Sequence, residues 1–431
     1  MRTVKNYGRT WAFRPSTIAY PESAAQLQAV VAGARKVRVM GSRHSWSKGI
    51  VTDGTLVSLD RMNRIVRVDR ANLRVTVQAG IKLRELIARL EEQGLALANL
   101  GSIDAQSLAG AISTGTHGTG KAFRCLASQV ESLELIDGTA TPRHLRKSHP
   151  DFNAVVVGLG CFGIVHELTL SVVPSFQMHA VTSTTTFDAL VDHLDDYVAG
   201  YDHFKLWWLV PCDTVILFKN NRTDAACNDS TLKRWFKDEF LSVAVYRALV
   251  ALESLDRKRL VPAINDMLTK ETGRPYDRIC KSPVGFLVPS PPVHRETEWA
   301  FDYRDARDLL KEYRDLLSSS GHTYSFIQEI RFTCSDDFWL SPAYQRDSIW
   351  LSMYNMDRAD RWDDQLARFE AFATARGGRP HWGKEASFDP GYLKKAWPRL
   401  EELRQLTRAY DPEGKFVNAW AEQIFGGRKF R

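Results

Sequence analysis

Hydrophobic spacing changes along this chain, and the changes predict its elements. Pro21-Glu22-Ser23, followed by Gln26 three residues after the serine, has the form of a capping box and opens a helix through LQAVVAGA. Short β-rich runs then predict strands at Val37–Met40, Thr55–Leu59, Ile65–Val68 and Leu73–Gln78. A 3.6-residue period puts Leu83, Leu86, Ile87 and Leu90 on one face of a second helix, which stops near Gly94. Strands at Val130–Ile136 and Ile164–Val173 follow, and this mixed unit closes near Pro174. From about Ser175 to Arg379 the texture differs: an aromatic strand in HFKLWWLV, a long charged helical stretch from Asn228 to Arg274, then more α/β pattern. In the tail, Pro398 fits the first turn of a helix with Leu400, Leu403 and Leu406 along one side, and DPEG at Asp411–Gly414 reads as a turn. No internal repeat interrupts the order.

At 431 residues and 44% hydrophobic content, the chain has material for two cored domains of α+β class. A net charge of +7 is spread along it without a Lys/Arg run that would track a phosphate backbone, so nucleic acid is not an expected partner. Cys125, Cys161, Cys212, Cys227, Cys280 and Cys334 form no CxxC pair and no cysteine–histidine cluster, so packing thiols are expected and no metal site. The start, MRTVKNYGRTWAFRP, lacks the apolar core of a signal peptide, and no apolar run reaches about 18 residues. A cytoplasmic protein without a transmembrane segment is expected, and the triplets at Asn221 and Asn228 are then not glycosylation sites.

Three stretches carry candidate chemistry in the first unit. In VMGSRHSWSKG a strand runs into small residues around Arg43 and His44, where backbone N–H groups can approach a phosphate, although such a loop taken alone is most often just a turn and its histidine an ordinary one. LGSIDAQSLAGAISTGTHGTG, Leu100–Gly120, is dominated by Gly, Ser, Thr and Ala, with Ile103, Leu108 and Ile112 as anchors, and suits a large flat ligand lying against backbone, with hydroxyls at Ser107, Thr114 and Thr116. GLGCFGIV, Gly158–Val165, precedes a strand and lacks the spacing of a dinucleotide fingerprint followed by a helix. Three such loops fit a ligand as long as a dinucleotide. Farther on, Glu329 and Arg331 stand two apart on a strand and share a face, as a functional pair or a surface ion pair worth about 0–1 kcal/mol. RPHWGK groups His381, Trp382 and Lys384 in one turn, and a cation there, roughly 4 Å from a developing anion, is worth on the order of 4 kcal/mol at an effective dielectric of about 20.

Taken together, GSRHS, LGSIDAQSLAGAISTGTHG, LGCFGIV, EIRFTCSDDFWLSPAYQRDS, GGRPHWGK and DPEGKFVN resemble, in order and over nearly the whole chain, the aldonolactone and sugar-alcohol oxidases of the vanillyl-alcohol oxidase/p-cresol methylhydroxylase flavoprotein family. The resemblance implies a two-domain fold: an FAD-binding domain at 1–174, a substrate-binding cap at 175–379, and a segment at 380–431 that returns to the FAD domain. It implies FAD covalently attached through His44, with Gly41, Ser42, Arg43 and Ser45 around the pyrophosphate. Gly101, Ser102, Ser107, Gly115, Thr116, His117 and Gly118, then Gly163 and Val165, and finally His381 and Asn418, match further cofactor-binding positions. Glu329, Arg331 and Lys384 match a catalytic polar cluster, and Ser102 a position that touches a substrate hydroxyl.

The implied reaction is hydride removal from a carbinol, with Glu329, Arg331 and Lys384 holding the substrate hydroxyls. SIWLSMYNM, which the lactone oxidases resemble better, places Ser352 and Tyr354 where sugar-alcohol oxidases commonly have histidine and threonine, and RFTCSDDFWLSPAYQRDS and GGRPHW look most like gulonolactone oxidase. An aldono-1,4-lactone is therefore the expected substrate. An alditol, or another carbinol in a less polar pocket shaped by Trp207, Trp208 and Trp350, is the alternative. Gly101 stands where a bulkier residue obstructs oxygen in some relatives, so molecular oxygen is the expected acceptor and hydrogen peroxide the product; a dehydrogenase with another acceptor, or a flavin-storing protein without turnover, are the competing readings.

Overall fold

The computed structural model describes residues 3–229, 257–288, 293–356 and 361–426. Its first helix, Ala24–Gly33, buries Leu27 and Val31 and starts as its sequence requires, with Ser23 Oγ accepting from Gln26 N at 3.3 Å. The Gln26 side chain accepts from Glu22 N at 2.8 Å, one residue farther upstream than a reciprocal box would reach. Thr17–Ala19, Thr55–Ser58 and Val37–Met40 form a small parallel sheet beside it. A five-stranded antiparallel sheet follows, in the order Pro142–Arg146, Val130–Ile136, Ile164–Ser171, Arg74–Gln78, Ile65–Asp69. Leu73 is not in its strand, because the Asp69–Asn72 turn puts Leu73 at φ 50°, which no ladder accommodates.

The third sheet has eight strands in the order Tyr276–Lys281, Gln177–Thr186, Thr214–Thr223, His203–Trp208, Gln328–Thr333, Ser348–Met356, His294–Asp302 and Arg379–Pro380, every neighbour antiparallel. One face is an ordinary core. Leu206, Trp208, Ile330, Phe332, Leu351, Met353, Trp299 and Phe301 pack there against the helices Phe187–Asp192, Ala306–Ser318 and Trp362–Ala375. Because side chains alternate along a strand, the residues between them all turn to the other face. Those residues are Lys205, Trp207, Glu329, Arg331, Ser352, Tyr354, Glu296 and Glu298, and most are buried although polar. That second face positions the site.

The tail packs onto the first core. Trp382, Leu393, Trp397, Leu400, Leu403, Tyr410, Phe416 and Ile424 join one cluster with Leu27, Val37, Leu86, Leu135 and Leu168. Buried Arg38 ties the two ends together, donating to Phe416 O and, at 2.8 Å, to Leu159 O. The proline-started helix is Pro390–Ala396, where Asp389 caps Tyr392 N at 2.6 Å; Pro398 lies outside, and the next helix begins at Leu400 behind Arg399. Of the helical stretch expected over Asn228–Arg274, Arg257–Thr272 is helix, 230–256 lies outside the described residues, and Asn228 instead pairs with Ile279 alongside a strand. All six cysteines are free thiols; Cys125, Cys161 and Cys280 are buried, whereas Cys227 is exposed. Among the described residues no helix is long and apolar enough to cross a membrane.

Candidate active site

The three small-residue loops converge on one cleft. Gly41 to Ser45, Gln106 to Thr114 and Gly158 to Val165 supply its walls, with Lys82 and Arg43 adding positive charge. The approach is possible only without side chains at key points: a Cβ on Gly41 would stand 2.1 Å from Ser107 Oγ, and one on Gly163, at φ 148°, 2.4 Å from Ile136 O. Among the described residues, buried Ser42 Oγ and Ser107 Oγ have no hydrogen-bond partner, although Ser107 heads the helix Leu108–Ser113. A long cleft with unpaired hydroxyls, glycine walls and cations is the donor set that a dinucleotide such as FAD requires.

His44 lines this cleft and stacks on Tyr7, with ring centroids 4.7 Å apart. Burial, reinforced by Arg84, Lys384, Lys82 and Arg43, lowers its pKa to about 4. The imidazole is therefore neutral at ordinary pH, the state in which a ring nitrogen is a nucleophile.

The polar sheet face carries the second half of the site. Glu329 is 4% exposed and accepts from Lys205 Nζ at 2.8 Å, Trp207 Nε1 at 3.0 Å and the Arg331 guanidinium. Burial alone would raise its pKa; Arg331 and Lys205 reverse that and hold the carboxyl far below the usual range. Arg331 also donates to His117 O at 3.2 Å and to Ser102 Oγ at 2.9 Å, joining the sheet to the second glycine loop. Of the two readings of Glu329 and Arg331, the surface ion pair does not hold, because both residues belong to a buried network.

Lys384 sits apart from Glu329. Its partner is Glu296, and its ammonium lies 4.8 Å from the Trp46 ring centroid. Between the two ion pairs stands Glu298, 3.4 Å from His117 Nε2 and accepting from Ser352 Oγ at 3.2 Å. Its pKa is held well below normal by His117, Lys384 and Arg331 against the burial that opposes them. His117 stacks on Trp350 with centroids 3.7 Å apart, and His381, whose Nδ1 accepts from Gly383 N at 3.0 Å, is kept neutral by burial with a pKa of about 3. His117, Glu298 and His381 are close enough to offer three ligand atoms to one ion, but Lys384 and Arg331 already balance the carboxylate. Tyr354 faces all three carboxylates, Glu296, Glu329 and Glu298, which together with burial raise its phenol pKa.

The structure therefore joins Ser102 and Glu329 through Arg331, with Ser352 and Tyr354 on the same sheet face and Lys384 at its Glu296 end. Gly101 backs onto His117 O and Thr116 Cγ2, each 3.3 Å from where a Cβ would be. Gly118 and Gly115 shape the loop that presents the His117 carbonyl, and Thr116 Oγ1 accepts from Gln106. Ser45 and Val165 line the cleft. Asn418 acts at a remove: its side chain donates to Val51 O at 2.8 Å and Lys48 O at 3.0 Å and caps Ala421 N, steadying the loop beyond His44. Trp208 does not shape the site; alternation sends it into the opposite core while Trp207 reaches Glu329. Sequence reasoning missed Lys205, Glu296 and Glu298. The signal was present in HRETEW, where His294, Glu296 and Glu298 recur at period two and so share one strand face with no apolar residue between them.

Residues 168–424 match the D-arabinono-1,4-lactone oxidase family, and residues 15–146 match an FAD-binding domain. The chain is 30% identical over 442 residues to an L-gulonolactone oxidase of Mus musculus, covering 98% of each. It is 28% identical to an L-gulono-1,4-lactone dehydrogenase of Mycobacterium tuberculosis (96% of each) and 28% identical to an alditol oxidase of Streptomyces sp. (98% of this chain, 99% of the relative). Among solved structures, cholesterol oxidase from B. sterolicum superposes with a TM-score of 0.82 over 98% of this chain and 96% of its own, at 13% identity, which shows a shared fold. The expected α+β flavoprotein fold is borne out.

Proposed function

The chain belongs to the D-arabinono-1,4-lactone oxidase family, and from that premise we propose that it oxidises a neutral aldono-1,4-lactone at the carbinol next to the carbonyl, with molecular oxygen as acceptor. As a family member it is an FAD-dependent oxidoreductase acting on CH–OH groups. The observation that carries the substrate reading is the charge balance of the buried face: Glu296, Glu298 and Glu329 are matched by Lys205, Arg331 and Lys384. An apolar carbinol would offer this polar face no hydrogen bond in exchange for the water it displaces, and a charged aldonate would upset the balance. A compact molecule with several hydroxyls satisfies donors and acceptors alike.

Bound FAD supplies the two-electron acceptor. It would lie in the glycine-walled cleft, held by the Gly41–Ser45 loop, Ser107 and the Gly158–Val165 loop, and covalently attached through His44. The FAD-binding unit then comprises 1–174 with 380–431, and 175–379 forms the cap. On the sheet face, Arg331 and Ser102 hold one substrate oxygen, and Lys384 with Glu296 holds the far end. Glu329 keeps its two cations fixed. With three donors on its carboxylate it is a permanent anion rather than a proton acceptor. Gly101 adds no side chain of its own next to Ser102, which supports oxygen access.

The test is an aerobic panel of 1,4-lactones, alditols, open-chain aldonates and apolar secondary alcohols, scored by peroxide release. The expected order is lactones first, alditols second, aldonates and apolar alcohols at background. Turnover without peroxide would replace oxygen by another acceptor, and no turnover of any lactone or alditol would contradict the substrate reading.

A further inference from the structure

Ser102 Oγ makes two hydrogen bonds, one with Lys205 Nζ at 3.1 Å and one with Arg331 Nη2 at 2.9 Å. An ammonium and a guanidinium donate and never accept, so both lone pairs of the serine oxygen are filled by these cations. Among the described residues the hydroxyl proton meets no acceptor, and it points away from both cations. We infer that Lys205 is a positioning residue: together with Arg331 it fixes Ser102 as an obligate donor to a substrate oxygen. The inference rests on the reading of this face as the substrate site and names how one of its groups is aimed.

Three features make Lys205 suited to the task. It lies on His203–Trp208 directly opposite Arg331 in register, so the two cations approach Ser102 from neighbouring strands. Lys205 is 7% exposed, and its ammonium lies beside the Trp207 and Phe218 rings, 5.3 and 5.5 Å from their centroids, which limits water as a competing partner. Its remaining strong partner, Glu329 Oε1 at 2.8 Å, is an anion that cannot release it. A hydroxyl polarised by two buried cations is a stronger donor than a free serine, and its direction is set before substrate arrives. A substrate carbonyl or ring oxygen meets a preformed bond there, whereas a serine free to rotate would have to be ordered on binding.

A double-mutant cycle with Lys205→Met and Ser102→Ala separates this role from general support of the fold. With the best substrate of the panel, Lys205→Met is expected to lower kcat/KM by roughly tenfold to a hundredfold, in the range of a lost charge-assisted bond. In the Ser102→Ala background the same change is expected to cost less than about threefold, because its target is gone. Equal losses in the two backgrounds, or no loss in either, would overturn the inference. Lys205→Arg, which keeps a donor and the charge, should remain within about threefold of the parent, and it serves if the methionine variant does not fold; a loss of tenfold or more in it overturns the inference as well. A readout that needs no turnover is the crystal structure. The parent must show one Ser102 rotamer bonded to both cations and Lys205→Met a second rotamer; a single unchanged rotamer in the variant overturns the inference. A parent that turns over nothing defeats the substrate reading alone, and this crystallographic arm still decides the role of Lys205.

Discussion

Glu329→Gln should fold, bind flavin and lose at least a hundredfold in kcat/KM, while its thermal midpoint falls. The reason is geometric. Glu329 accepts from Lys205 and Trp207 on one oxygen and from Arg331 on the other. A glutamine has one acceptor and one donor end, so whichever way its amide turns, its NH2 faces a cation that can only donate. One of Lys205 and Arg331 loses its partner, and both keep their positive charge without the balancing carboxylate. Breaking one side of a buried pair costs about 3–5 kcal/mol in general. Part of that appears as stability and part as disorder in Ser102, Arg331 and the His117 carbonyl that Arg331 holds. Thermal denaturation and steady-state kinetics on the flavin-loaded variant check the two halves. Because the Glu329 pKa is lowered, its carboxylate stays charged wherever the protein is folded, so the pH profile of the parent should contain no acid limb from this group. A folded Glu329→Gln with kcat/KM within about threefold of the parent would show that the network is structural only.

His44→Ala is expected to give a protein whose acid-precipitated pellet is colourless while the parent pellet stays yellow. The variant should still take up FAD, since the glycine walls, Ser42 and Ser107 are untouched, but should lose it on gel filtration. The lowered pKa adds a pH prediction with a definite sign. A nucleophilic nitrogen must be neutral, and with a pKa of about 4 the ring is more than nine-tenths neutral at pH 5.5. Covalent incorporation of FAD into apoprotein should therefore run at nearly the same rate at pH 5.5 and pH 7.5, where a histidine with the ordinary pKa of about 6.5 would slow about tenfold. A colourless parent pellet would contradict the covalent link, and a tenfold slowing at pH 5.5 would contradict the environment of His44.

Much of this arrangement was legible in the residues. The capped first helix, the glycine loops and the shared face of Glu329 and Arg331 follow from local rules, because caps, positive φ and strand alternation act over a few positions. The burial of that pair did not follow. Whether a polar strand face meets water or another layer depends on residues distant in sequence, here Ser102 and His117 across more than 200 positions from Arg331. Lys205 looked like the single charge in an aromatic strand, and only register with Arg331 makes it part of a network. Lys384 illustrates the converse. Its motif marked it as functional, but its partner Glu296 comes from a strand whose alternating glutamates resemble any solvent-facing edge until the fold buries them.

The most direct measurement of the central claim is anaerobic reduction of the bound flavin by an aldono-1,4-lactone and by the same molecule opened to its carboxylate. A charge-balanced face behind a glycine-walled flavin cleft predicts that the lactone bleaches the flavin completely and that the aldonate does so at least about a hundredfold more slowly, the cost of adding an uncompensated charge to a buried site. Equal bleaching by both, or a flavin that remains yellow with every lactone, would contradict it.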